Sequence, residues 1–88
     1  MSDPDLEAMA ADELKRALNL SWRQRKKITP WGDDFEGVSP AGRNVVVERA
    51  YVWASEPDGD ILCEVRVFVN AALYDQGALA TAVIPRVG

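Results

Sequence analysis

Residues 45–69 read VVVERAYVWASEPDGDILCEVRVFV, and this stretch decides the fold. Its odd positions are Val45, Val47, Arg49, Tyr51 and Trp53, then Ile61, Cys63, Val65, Val67 and Val69. β-branched and aromatic residues at alternate positions read as two strands. Between them, Glu56-Pro57-Asp58-Gly59-Asp60 suits a three-residue hairpin loop. Pro57 and Asp58 fit a type I turn, and Gly59 the left-handed bulge position. Flanks at 56 and 60 set paired numbers to sum to 116, which opposes Trp53 to Cys63, Tyr51 to Val65 and Val47 to Val69. The same register opposes Ala50 to Arg66 and Val52 to Glu64. One face of the hairpin is then continuously apolar, and a one-residue slip would mix the two faces.

Outward from the hairpin, residues 78–84 read as a third strand ended by Pro85. Residues 70–77 allow a helical turn from Asn70 to Gly77, or a hairpin loop at Asp75-Gln76-Gly77. The loop is favoured and gives a three-stranded β-meander. Upstream, Pro30, Gly32, Gly37, Pro40 and Gly42 punctuate 29–42, which reads as loop.

The N-terminal segment is helical over 4–28. Asp3 before Pro4 is a helix start, with Asp3 as N-cap and proline at the first helical position. Leu6, Ala10, Leu14 and Leu18, flanked by Met9 and Ala17, form one apolar stripe. The segment either breaks near Asn19, taken as a left-handed cap, with a second helix over 22–28, or runs unbroken. Ser21 and Gln24 fit a capping box. The expected fold is therefore α+β, a single domain over 1–88: helical 4–28, loop 29–42, sheet 43–86. One helical segment packs on a three-stranded antiparallel sheet.

Composition narrows the function. The chain has 88 residues, a net charge of −4, one cysteine and no histidine. No apolar run is long enough to span a bilayer, and the acidic start lacks a signal-peptide core. The expectation is a soluble, cytoplasmic protein. A lone cysteine excludes an intramolecular disulfide. Without histidine, no Ser-His or Cys-His dyad exists within the chain. Cys63, mid-strand on the apolar face, reads as a small buried hydrophobe.

Three weak motifs remain. Trp22 and the basic residues Arg23, Arg25, Lys26 and Lys27 form a local basic spot in an otherwise acidic chain. On a helix they could meet phosphates, with Trp22 stacking on a base, in a loose echo of helix-turn-helix geometry. Asp33, Asp34 and Glu36 gather carboxylates suited to calcium or magnesium, but with no EF-hand spacing. Pro57-Asp58 followed by Glu64-Val65-Arg66 loosely echoes a nuclease pattern, but arginine stands where lysine is needed and cannot release a proton.

No catalytic set, metal site or cofactor site emerges. The even face of the sheet is also rather apolar, with Val46, Ala50, Val52, Ala54, Leu62, Phe68, Ala80, Ala82 and Ile84, interrupted by Glu48, Glu64 and Arg66. One helix covers only one face, so the other needs a loop, a second copy or a partner. The leading expectation is a non-enzymatic protein acting by protein–protein contact, as a homo-oligomer (a dimer first), an adaptor or an inhibitor. Small acidic products of this kind are often encoded by phages and mobile elements. The expected contact residues are Trp31, Phe35, Val46, Val52, Leu62 and Phe68. The alternatives are nucleic-acid binding through 22–27 and a metal-dependent enzyme using the acids of 33–36.

Overall fold

The computed structural model of the chain describes residues 3–19, 21–70 and 77–87. Helix α1 (Pro4–Ala17) and the short helix α2 (Trp22–Lys26) precede four strands: β1 (Trp31–Val38), β2 (Asn44–Trp53), β3 (Ile61–Phe68) and β4 (Ala78–Ile84). The strands form one antiparallel sheet in the order β1-β2-β3-β4. The fold is α+β, and the sheet has four strands rather than three.

Both helix starts follow their local signals. The Asp3 carboxylate accepts the Asp5 and Leu6 backbone N–H groups, with Pro4 in the first turn. Ser21 and Gln24 form a reciprocal capping box. The helices do break, but Asn19 does not supply a left-handed cap; among the described residues only Asp58 and Gly42 have positive φ. Because α1 stops at Ala17, its apolar stripe ends early. Leu6, Ala10 and Ala17 are buried, whereas Leu18 is exposed.

The extra strand comes from the stretch read as loop. Every β1 residue pairs with β2, from Trp31 with Tyr51 to Val38 with Asn44. Alternation is present in 31–38, but glycines and adjacent acids obscure it. Gly32 allows the strands to approach closely, since a Cβ there would stand 3.2 Å from the Arg49 carbonyl oxygen.

The hairpin keeps its faces but shifts its register by two. Paired numbers sum to 114, so Trp53 faces Ile61, Tyr51 faces Cys63 and Val47 faces Val67. Ala50 now opposes Glu64, Val52 opposes Leu62 and Glu48 opposes Arg66. The Ala54 N–H donates to the Asp60 carbonyl at 2.9 Å, enclosing five loop residues instead of three. Within the loop, Asp58 takes the positive φ of 64°, after Pro57, in the manner of a type II turn. Gly59 has a different task. The Trp22 indole N–H donates to its carbonyl at 2.9 Å, and a Cβ there would meet Glu56 Cγ at 2.9 Å. Helix α2 thus sets the hairpin tip through a contact 37 residues away in sequence.

Val67 pairs with Ala78, so β3 and β4 are adjacent and antiparallel. The alternatives for 70–77 fall on residues 71–76, outside the described residues. The β3–β4 register pairs odd with even residues: Cys63 with Ala82, Val65 with Ala80, Ile61 with Ile84. Ala80, Ala82 and Ile84 therefore share the helix-covered face, and Leu79, Thr81 and Val83 take the other. On the covered face, α1 packs mainly over β3 and β4. Leu6, Ala10, Val45, Val47, Val65, Val67 and Ala78 form one core cluster. Ala17, Trp22, Tyr51, Ile61 and Cys63 form the second, and Leu14 touches both.

Candidate functional site: an open sheet face and a cationic end

Strand alternation divides the expected contact residues between two faces. Val46, Val52 and Leu62 lie on the face away from the helices, each half-buried by its neighbours. Phe68 is on that side too, but only 6% exposed. Trp31 and Phe35 lie on the helix side instead, because β1 pairs odd residues with odd residues of β2. Trp31 stacks on Tyr51 with ring centroids 4.9 Å apart. The Arg49 guanidinium sits 5.4 Å from the Trp31 ring centre and 4.9 Å from that of Phe35.

No described element crosses the far face, where two residues absent from the sequence reading are prominent. Leu79 and Val83 are each 49% exposed; Val83 lies opposite Leu62 and extends the aliphatic surface of Val52 and Leu62, and Leu79 lies opposite Arg66 further along the face. Their placement depends on the odd-numbered β3–β4 register, which no local signal specifies. Beside them, Gly32 and Ala50 floor a shallow trough. Asp34, Glu48 and Glu64 line it together with Arg66.

The acids of 33–36 are split by the same alternation. Asp34 and Glu36 are exposed on the open face. Asp33 turns to the helix side and makes a two-point ion pair with Arg49, whose Nε donates at 2.8 Å. Among the described residues, no group of three acids or cysteines is arranged to hold a metal ion.

The Arg49 hydrogen bonds hold the Asp33 carboxyl below the ordinary carboxylate range, against a weaker opposing effect of burial. A depressed folded value means the pair stabilises fully above about pH 4, the unfolded value, and is lost as pH falls through the folded one. Asp33→Asn should therefore lower stability at neutral pH and flatten its decline below about pH 4. Urea midpoints against pH check this; parallel acid limbs would contradict it.

The basic spot is rearranged as well. Trp22 is 5% exposed and its indole N–H is engaged, so its ring is not a platform for a base. Arg25 is 4% exposed. Its guanidinium donates to the Ala17 carbonyl at the end of α1 and lies 4.1 Å over the Tyr51 ring centre. These two residues are structural. Arg23, Lys26 and Lys27 remain exposed, and Arg86, beyond β4, joins them in a cleft with Val87. Lys26 Nζ is 5.0 Å from the Trp22 ring centre. Among the described residues, none of these four cations makes an ion pair.

No described helix is long and apolar enough to cross a membrane. Compared with protein-family models, curated proteins and solved structures, the chain matches none of them.

Proposed function

We propose that this protein works by non-covalent contact, docking another protein surface on the open face of its sheet, as an oligomer subunit, adaptor or inhibitor rather than as an enzyme. The observation that carries the reading is the aliphatic side chains of a face that no described element crosses, with Val46, Val52 and Leu62 half-buried and Leu79 and Val83 exposed. Burying such side chains is favourable at about 25 cal/mol per Å² of apolar surface. Strands about 4.8 Å apart and about eight residues of 3.3 Å each give the face roughly 500 Å². Covering it with an equal surface hides about 1,000 Å² in total, the lower end for a specific contact.

The Leu79→Asp/Val83→Asp double variant tests this. Both side chains are half exposed, so the fold should keep its thermal melt. Tagged wild-type chain expressed in its host should retain copies of itself or another protein, and the variant should lose them. Identical recovery with both chains would reject the open face as the contact surface.

Nucleic-acid binding is the second reading, favoured by Arg86 joining Arg23, Lys26 and Lys27. With Trp22 and Arg25 buried, it is reduced to phosphate contacts without base stacking. A salt titration of DNA binding separates it from protein contact.

A further inference from the structure

Ion pairs join Arg16 to Asp12 and Glu13, Arg43 to Asp3 and Asp5, and Arg49 to Asp33, and Arg66 is engaged as well. Two groups of opposite charge stay outside this network. Asp34, Glu48 and Glu64 stand with the single cation Arg66 around the trough on the open face, which leaves it acidic, and these three acids make no ion pair among the described residues. Arg23, Lys26, Lys27 and Arg86 gather at the end formed by α2 and the residues after β4. The nearby Asp60 carboxylate is engaged by the Arg86 backbone N–H at 2.8 Å.

We propose that copies of this chain associate head to tail, the cationic end of one seated on the acidic, apolar sheet face of the next. This rests on the open face being a contact surface, and names its occupant. The trough suits long cationic side chains. Its floor of Gly32 and Ala50 leaves room for a lysine or arginine stem, and its carboxylates meet the charged head. Exposed apolar residues accompany both charge groups: Ile28 (41% exposed) and Val87 (57%) at the cationic end, Leu79 and Val83 on the face. A two-fold dimer of sheet faces would instead set one acidic trough against another, and like charges in juxtaposition are costly. A head-to-tail contact is heterologous, so it closes into a ring or extends into a filament.

Light scattering coupled to size exclusion on the full chain tests the contact. At about 20 mM salt the mass should exceed 9.7 kDa, and it should fall toward that value as shorter Debye lengths screen the charges. Two charge reversals, Lys26→Glu/Lys27→Glu at exposed positions and Glu48→Lys/Glu64→Lys at half-buried positions of the open face, should each weaken association about tenfold or more while the circular dichroism of the fold is retained. Mixed one to one, they join the unchanged face of the first to the unchanged end of the second and oppose the new glutamates of the first to the new lysines of the second, so unlike chains attract and association should return. A monomeric wild type at low salt, a lysine variant that still associates, or a mixture of folded variants that stays monomeric would each overturn the proposal. If wild type is monomeric yet Leu79→Asp/Val83→Asp still loses a bound protein, the head-to-tail contact fails and the open-face reading stands.

Discussion

Trp22→Ala is expected to lower the stability of the fold by about 3–5 kcal/mol, a large share of the roughly 5–15 kcal/mol usual for a native domain. Helix α2 has only five residues, far too few to be stable alone. It exists because the indole packs with Ala17, Tyr51, Ile61 and Cys63. The same side chain donates the hydrogen bond that holds the hairpin tip. Removing it opens a cavity in the second core cluster and releases Gly59 together. Trp22→Phe keeps most of the burial but leaves the Gly59 carbonyl without its donor, and should cost about 1–3 kcal/mol. Urea unfolding followed by circular dichroism gives both values. If Trp22→Ala costs less than about 1 kcal/mol, the indole is not a core anchor.

Cys63 should be nearly inert toward thiol reagents in the native protein. It lies in β3, between β2 and β4, fully buried. Burial pushes its thiol pKa up, and the positive charge of Arg25 offsets this only in part. The thiolate is the reactive form, so both access and ionisation work against labelling. If labelling requires global opening at about 5–8 kcal/mol, it should be slowed by roughly 10⁴–10⁶ relative to the unfolded chain. The Trp22→Ala variant should then label roughly 10²–10⁴ times faster than wild type, as its lost stability dictates. Rapid labelling in the absence of denaturant would show that β3 opens locally and is not the most protected strand.

The parts of this fold that local chemistry controls were legible in the sequence. Asp3-Pro4 and Ser21/Gln24 start the helices as their chemistry requires. The two faces of the hairpin follow from alternation, and a register error of two leaves them unchanged. What could not be read depends on distant partners. The 114 register accompanies a five-residue loop whose Gly59 is held by Trp22, which no turn rule contains. Strand β1 was hidden because Gly32, Asp33 and Asp34 resemble loop, although Trp31 and Phe35 keep the period of a strand. The open face was inferred through Val46, Val52 and Leu62. Leu79 and Val83 were assigned away from it because the β3–β4 offset is odd. The basic segment misled for the same reason: which side of a five-residue helix is buried is decided by what it packs on.

Strand β1 also bears on the sheet's lateral growth. It is an outer strand of the sheet, and among the described residues one row of its backbone groups has no neighbouring strand. Such a border is a template on which further chains can polymerise. Three carboxylates within four residues, with glycine on either side, make this border charged and poor in β-propensity. Two such borders repel each other. The strand beside the open face therefore carries a barrier against fibril-like extension through the sheet's edge.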